Sequence, residues 1–410
     1  MYSIQRFFSC VFIFSFMLSC SWGQEGELKN ARDLHSDLSA ELDLPIKVGA
    51  QNTEEYLHLL KDKNVGVVAN QTSILDSVHL VDFLLSEKIA VQKVYSPEHG
   101  FRGDADAGEH VKSNVDAKTK LPVVSLYGSN KKPKKEQLLG IDVVVFDLQD
   151  VGVRFYTYIS TLHYVMEACA ENNIKLIVLD RPNPNIDVVD GPIREEGFES
   201  FVGMHPIPIL HGMTIGEYAQ MINGEFWLKN KTQCGLVVIP CLNYNRKDDY
   251  HLPINPSPNL RSAEAIYLYP SLCLFEGTVM SVGRGTDTPF ELFGHPKFND
   301  SAQNFKFQPV SSYGAKSPKL EGEQCKGKNL HYFGSEKLNE LNLDWLIEAY
   351  NKTEVDEFFS KGGRWFDLLA GTDQLRKDIL AGKNGAEIKS SWQSDLNSFK
   401  QKRSKYLIYK

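Results

Sequence analysis

The fold is decided by residues 143–180, which read VVVFDLQDVGVRFYTYISTLHYVMEACAENNIKLIVLD. Two apolar runs, Val143–Phe146 and Leu176–Leu179, enclose a stretch from Phe155 to Asn172 in which apolar residues recur at helical spacing. Continuous Val/Ile/Leu runs are typical of strands buried on both faces, and parallel strands need a crossover between them. The stretch therefore predicts a β-α-β unit of a parallel sheet.

The same alternation continues on both sides of this unit. An amphipathic helix is expected from Thr214, its N-cap, to Asn223. Residues 46–240 are therefore predicted to form a Rossmann-like, doubly wound parallel-sheet domain of the α/β class. The further strand candidates are Val65–Ala69, Val91–Tyr95, Val123–Leu126 and Leu236–Ile239.

Beyond Pro240 the composition of the segments changes. Several prolines and a Gly-rich stretch over 281–296 precede helical patterns at 341–352, 373–382 and 386–406. We expect residues 241–410 to form a smaller C-terminal α/β auxiliary domain that completes an interdomain cleft.

Overall composition narrows the class of protein. Of 410 residues, 42% are hydrophobic and 24% charged, which excludes a disordered or collagen-like chain. The formal net charge of -7 argues against nucleic acid as a partner, because phosphate binding depends on clustered Lys and Arg. A neutral or anionic sugar held by local arginines remains compatible with this charge.

The first residues have the pattern of an export signal. The apolar run from Phe7 to Leu18 follows a basic start, and its length is that of a signal-peptide core rather than a membrane span. We expect residues 1–20 to be a signal peptide and 21–45 a tether. Lipidation at Cys20, within a relaxed lipobox, or ordinary cleavage near Gly23 would give an anchored or a soluble periplasmic protein.

Five cysteines remain outside the leader, and they match no zinc spacing and no CxxC pattern. A pair between Cys234 and Cys241 is conceivable, but buried free thiols are the expectation.

Polar residues follow three of the predicted strands where each strand ends. Because the carboxyl ends of parallel strands share one edge of the sheet, these residues are expected to converge there, where α/β sheets bind ligands. A purely structural role in caps and turns is the alternative for Asp147 and Asp180. The polar segments are Ser96–Asp106 with Glu109 and His110, Asp147–Arg154, and Asp180–Pro184.

Carboxylate acid/base chemistry is the reaction type that these residues favour. No dinucleotide or phosphate-binding glycine motif follows the first strand, so no nucleotide cofactor is expected. A divalent metal near Asp104, Asp106 and Glu109 is a minor alternative. Glu98 is the leading candidate for a general acid in glycosidic-bond cleavage. Tyr156 and Tyr158 suit either sugar stacking or core packing.

The motifs together resemble those of the exo-β-N-acetylmuramidases of the NamZ type, from about residue 46 to the C-terminus. The motifs that carry the resemblance are VGVVAN (65–70), SPEHGFRG (96–103), DAGE (106–109), FDLQDVGVRFYTY (146–158), LDRPNP (179–184), HGMT (211–214), PSPN (256–259), EGT (276–278) and SVGRGT (281–286).

The resemblance implies a Rossmann-like N-terminal domain, an auxiliary C-terminal domain and a cleft between them. It also implies release of N-acetylmuramic acid from non-reducing ends of peptidoglycan fragments, with no cofactor. Glu98 is carried over as catalytic, and Glu109 and Asp150 are candidates for the second acidic group. The lactyl carboxylate of the sugar suggests a contact with Arg102, Arg154, Arg181 or Arg284. The other expected substrate contacts are His99, Tyr156, Tyr158, Asn183 and Thr286.

Two other functions remain open at this point. A non-catalytic lipoprotein would bind muropeptides in the same cleft, and a metal-assisted amidase or deacetylase would cut an amide or acetyl group. Peptidoglycan-derived saccharides are the expected partners of the muramidase and of the muropeptide-binding lipoprotein. Membrane contact is expected only through a lipid anchor.

Overall fold

The structure, a computed structural model, is built around a seven-stranded sheet and describes residues 44–102, 114–299, 304–335 and 337–410. Residues Pro45–Lys410 form one compact unit. The predicted leader, most of the tether, Cys20 and Glu109 lie outside the described residues.

The strands of the main sheet run in the order β5-β6-β4-β1-β7-β8-β9. Six are parallel and β5, at one edge, is antiparallel. Taken in chain order, the six parallel strands stand as 3-2-1-4-5-6, which is the Rossmann order with its switch point between β1 and β7. The strands are β1 (Asn64–Ala69), β2 (Ile74–Leu75), β3 (Val78–His79), β4 (Ala90–Ser96), β5 (Asn114–Val115), β6 (Pro122–Ser125), β7 (Val143–Asp147), β8 (Lys175–Leu179) and β9 (Leu236–Ile239).

Both faces of the sheet are buried, as the continuous apolar runs predict. Successive side chains of a strand point to opposite faces. In β7, Val143 and Val145 pack in one core cluster, whereas Val144 and Phe146 pack in the other. All six predicted strands and the doubly wound α/β class are thus confirmed.

The helices cover the sheet and make up much of the C-terminal half. The capping box of Thr214 and Glu217 fixes the start of α5 where it was predicted. The α-helices are α1 (Leu57–Leu60), α2 (Leu80–Ser86), α3 (Lys135–Leu138), α4 (Tyr158–Glu171), α5 (Ile215–Gly224), α6 (Ala263–Leu272), α7 (His331–Gly334), α8 (Asp344–Lys352), α9 (Arg364–Ala370), α10 (Gln374–Leu380), α11 (Gly385–Ser391) and α12 (Gln393–Arg403).

A second sheet lies in the C-terminal half, with β12 (Cys325–Asn329) between β10 (Leu292–His295) and β11 (Lys306–Phe307) in antiparallel pairing. Together with α6–α12 it supplies the smaller C-terminal α/β part that was expected. The boundary at residue 240 stays a prediction.

The two halves share one hydrophobic core. Phe366 and Leu369 of α9 belong to the same buried cluster as Val68 of β1 and Phe146 of β7. At the C-terminus, the Tyr409 hydroxyl donates a 2.7 Å hydrogen bond to Oδ2 of Asp180, just beyond β8. The C-terminal half is therefore packed directly against the sheet domain.

Two helix predictions need correction. The helix predicted from Phe155 begins only at Tyr158, because Val153 pairs with Leu210 and the backbone N–H of Arg154 donates to Ile209. The helix predicted over 386–406 is interrupted at Trp392, whose buried indole donates to Oδ1 of Asp190.

Five cysteines of the described chain are buried free thiols, as expected, and Cys234 is not paired with Cys241. No helix in the described ranges is both long and apolar enough to cross a membrane.

Candidate active site

A cavity of about 1140 Å³ lies at the carboxyl edge of the sheet, where α/β folds bind ligands. Loops that follow β4 and β6 and the start of α4 line it from the sheet domain. The segment around 276–290, the loop 314–319 and α9 line it from the C-terminal half. Residues from both halves of the chain therefore line one cavity.

Glu98 enters this cavity from a tight turn that directly follows β4. The N–H of Gly100 donates to the carbonyl of Pro97, and both His99 and Gly100 have positive φ, of 72° and 80°. A left-handed non-glycine residue such as His99 is uncommon and is typical of functional sites. His99 is buried and also lines the cavity.

Two hydroxyl groups hold the Glu98 carboxylate. Thr157, immediately before α4, donates from Oγ1 to Oε2 of Glu98 over 2.8 Å. Tyr127, in the loop after β6, makes a second side-chain hydrogen bond to Glu98, and burial together with this carboxylate raises the pKa of the Tyr127 phenol. The phenol therefore stays protonated and remains a donor.

The floor of the cavity is aromatic. Tyr156 and Tyr158 both line it, and their rings meet edge to face with centroids 4.8 Å apart. Their hydroxyls are engaged, because both donate to the carbonyl of Pro256, over 2.8 and 3.3 Å. The rings belong to the core and also line the cavity, so their stacking on a sugar stays a prediction. Tyr269 packs against Tyr156 at 6.0 Å.

A second carboxylate, Glu276, faces the same cavity from the 3₁₀ helix Cys273–Gly277. Its Oε1 accepts a 3.0 Å hydrogen bond from Nε of Arg284, whose guanidinium lies 4.8 Å from the centroid of Phe290. Lys319 lies close by and donates 2.6 Å to the carbonyl of Thr278. Burial alone raises the pKa of Glu276, but the charges of Arg284 and Lys319 outweigh it and lower that pKa. Glu276 is therefore held ionised.

Asp150 is not the second carboxylate of this cavity. It is buried, does not line the cavity, and accepts the N–H of Gly152 at Oδ2 over 2.7 Å. Burial raises its pKa to about 7, against weaker opposing backbone hydrogen bonds. Its Oδ2 lies 3.8 Å from Nε2 of His211. The other candidate, Glu109, lies outside the described residues.

Three of the four arginines proposed for a substrate carboxylate do not line the cavity. Arg154 is fully buried and donates to four backbone carbonyls, those of Pro192, Ile207, Leu369 and Ala370. Arg181 forms a buried two-point ion pair with Asp147, at 2.6 and 2.9 Å. Arg102 pairs with Asp116 at 2.9 Å. Each of these three guanidinium groups is engaged within the protein. Of the four arginines only Arg284 lines the cavity, and its contact with the substrate stays a prediction.

Asn183 and Thr286 also serve the fold rather than the cavity lining. Asn183 donates to the carbonyl of Met213 and accepts the N–H of Asn185. The Thr286 hydroxyl donates to Gly283 over 2.7 Å and so closes the turn that presents Arg284.

Several cavity residues were missed from the sequence. The loop after Val123–Leu126 also leaves the carboxyl edge of the sheet, so the same argument that found Glu98 would have found Tyr127 and Lys131. Glu276 lies within one of the recognised motifs but had been given no role. Lys319 and Trp365 carry no local signal. Among the described residues, no three His, Cys, Asp or Glu side chains are grouped as metal ligands. Asp104 and Asp106, which were proposed as metal ligands, lie outside the described residues.

Two carboxylates in one cavity with an aromatic floor are the side chains that glycoside hydrolases use for catalysis. Comparison with known families specifies the family. The model of the N-terminal part of the exo-beta-N-acetylmuramidase NamZ matches residues 65–264, and that of the C-terminal part matches residues 267–409. The chain belongs to the exo-β-N-acetylmuramidase NamZ family.

Relatives in sequence and structure agree with this. The chain is 40% identical over 374 residues to the peptidoglycan beta-N-acetylmuramidase NamZ of Bacillus subtilis strain 168, covering 87% of this chain and 89% of the relative. Two crystal structures of DUF1343 family proteins from Bacteroides fragilis NCTC 9343 are similar throughout. One is 43% identical with a TM-score of 0.81 and the other 31% with 0.78, and they cover 90% and 89% of this chain and 99% of their own.

Proposed function

We propose that this protein is an exo-acting glycoside hydrolase that releases N-acetylmuramic acid from the non-reducing ends of peptidoglycan fragments. Family membership supports the reaction class. The observation that carries the proposal for this chain is the placement of two carboxylates, Glu98 and Glu276, in one cavity but in different electrostatic surroundings.

These surroundings favour a different catalytic role for each of the two carboxyl groups. Glycoside hydrolysis needs a protonated carboxyl for the leaving oxygen and negative charge for the oxocarbenium-like transition state. Glu276 is kept ionised by Arg284 and Lys319, so it suits the charge-stabilising role. With Glu276 in the charge-stabilising role, Glu98, whose carboxyl group is oriented by the hydroxyls of Thr157 and Tyr127, takes the role of proton donor.

The size and lining of the cavity fit a saccharide. Its volume of about 1140 Å³ exceeds the usual ~300–1,000 Å³ of small-molecule sites, which leaves room for more than one sugar ring. Aromatic rings at the floor, together with Trp365 at 44% exposure, offer faces on which sugar rings stack.

The decisive experiment measures release of a chromophore from an aryl β-N-acetylmuraminide, with the aryl β-N-acetylglucosaminide as control. We expect release from the muramic substrate by the wild type, and a loss of at least about 100-fold in kcat in Glu98→Gln with binding retained. Glu54→Gln, an exposed glutamate outside the cavity, is the matched control. No release from either sugar by the wild type would overturn the proposal and leave a muropeptide-binding protein.

We further propose that the protein is exported to the periplasm and anchored by lipid at Cys20. The support is the apolar run from Phe7 to Leu18 followed by Cys20 in a relaxed lipobox. Mass spectrometry of the mature N-terminus should find a diacylglyceryl cysteine that is absent from Cys20→Ser. An unmodified N-terminus near Gly23 would instead show soluble release.

A further inference from the structure

Lys131 stands at the cavity in an unusual position. It lies in the loop between β6 and α3, lines the cavity, and holds its ammonium 4.6 Å from the centroid of the Phe201 ring. Phe201 is supported in turn by Tyr164, which stacks on it with centroids 6.3 Å apart. An aromatic face attracts a cation but leaves its hydrogen-bonding capacity unused.

The bonding of the Lys131 ammonium differs from that of the other cationic groups that line the cavity. Arg284 is bound to Glu276, Lys319 donates to backbone carbonyls, and Lys316 also has a partner. Within the part of the chain that the structure describes, the Lys131 ammonium has neither an ion pair nor a hydrogen bond. It contacts the ring of Phe201. An ammonium group that lines the cavity and has no such partner can donate hydrogen bonds to an anionic group of the ligand.

Lys131 also lies in the corner of the cavity that holds Glu98. Tyr127, which hydrogen-bonds Glu98, has its ring centroid 6.2 Å from that of Phe201, the ring beneath the Lys131 ammonium. The cation is thus linked to the catalytic carboxylate through two contacting rings. A sugar that presents its glycosidic oxygen to Glu98 therefore shares the cavity with Lys131.

We propose that Lys131 binds the lactyl carboxylate of the terminal muramic acid and so selects it over N-acetylglucosamine. This inference rests on the proposed function. The two sugars differ in the lactyl ether, whose carboxylate supplies the one negative charge of the free N-acetylmuramic unit. A charge-assisted hydrogen bond from an ammonium without another anionic partner discriminates in favour of that charge.

The test changes the charge of the substrate and of the residue together. An aryl β-N-acetylmuraminide is compared with its lactyl methyl ester, which has the same shape but no negative charge. For the wild type we expect kcat/KM to be about 10–100-fold higher for the acid than for the ester. Lys131→Met should remove this preference by lowering kcat/KM for the acid, with the ester within about twofold of wild type.

Two further variants separate recognition from structure. Lys131→Arg retains a cation and should keep most of the preference, and Lys134→Met, an exposed lysine of the same loop outside the cavity, should behave as wild type. If Lys131→Met still prefers the acid, or loses activity equally on acid and ester, the inference is wrong. A wild type that hydrolyses neither substrate would instead contradict the proposed function.

Discussion

The Oγ1 atom of Thr157 lies 2.8 Å from Oε2 of Glu98 and donates a hydrogen bond to it. Thr157 occupies the N-cap position of α4, yet its side chain makes no capping hydrogen bond to the helix. The hydroxyl is therefore free of the usual structural duty of a threonine at this position, and its bond to Glu98 fixes the orientation of the carboxyl group in the cavity.

Thr157→Val should consequently lower kcat by about tenfold while leaving KM and the unfolding free energy nearly unchanged. A hydrogen bond between uncharged groups is worth about 0.5–1.5 kcal/mol, which corresponds to a rate loss of up to about tenfold, and valine preserves the shape of the side chain. Steady-state kinetics and urea unfolding measure both quantities. Thr157→Ser, which keeps the hydroxyl, should restore most of kcat. Equal activity of the valine and serine variants would show that the bond does not serve catalysis.

The ion pair between Arg284 and Glu276 predicts a change in the pH profile. Glu276 must be ionised to act, so activity falls as pH drops through its pKa, and Arg284 lowers that pKa. In Arg284→Met the pKa should rise, and the acid limb of kcat/KM should move up by about one pH unit or more. The measurement is a pH series with the aryl muraminide.

Arg284→Lys is the control for this shift, because it keeps a positive charge beside Glu276. Its acid limb should stay close to that of the wild type even if the rate is lower. An acid limb that does not move in Arg284→Met would mean that Glu276 is not the group titrating in the profile.

Asp150 predicts a pH dependence of stability rather than of activity. Burial raises its pKa to about 7 from the ordinary 3.8, so its contribution is fully present below about pH 4 and is lost as pH rises through about 7. Asp150→Asn cannot ionise. The unfolding free energy of the wild type relative to this variant should therefore fall between about pH 4 and pH 7, by at most about 1.4 kcal/mol per pH unit, and stay level above that range.

Chemical denaturation at several pH values tests the prediction, with the exposed Asp62→Asn as the matched control. That control should run parallel to the wild type over the whole range. A difference between wild type and Asp150→Asn that is constant with pH would contradict the buried ionisation.

The sheet and the position of Glu98 follow from local sequence, because they depend on strand-length apolar runs and on what directly follows them. The role of Arg154 does not follow from local sequence. Nothing in the neighbouring residues distinguishes a guanidinium that is enclosed by four backbone carbonyls from one that faces a ligand. Glu276 and Lys319 reach the cavity only because the C-terminal half shares its core with the sheet. Contacts between segments so far apart in the chain leave no periodic pattern in a single sequence, so they could not be predicted from it.

Gly277 tests how strictly that packing positions the second carboxylate. It ends the 3₁₀ helix that bears Glu276, and a Cβ atom at this position would come within 2.4 Å of Cα of Phe366 in α9. The obstructing atoms are mostly backbone, so the clash cannot be relieved by rotating a side chain, and the helix with Glu276 must shift relative to α9. Gly277→Ala should destabilise the protein by about 1–3 kcal/mol and lower kcat, because Glu276 and Trp365 flank the displaced contact. Gly235→Ala, where the nearest atom is Lys175 Cα at 4.0 Å, is the matched control and should change neither quantity appreciably. Wild-type stability and kcat in Gly277→Ala would show that Glu276 tolerates a looser placement than this close approach implies.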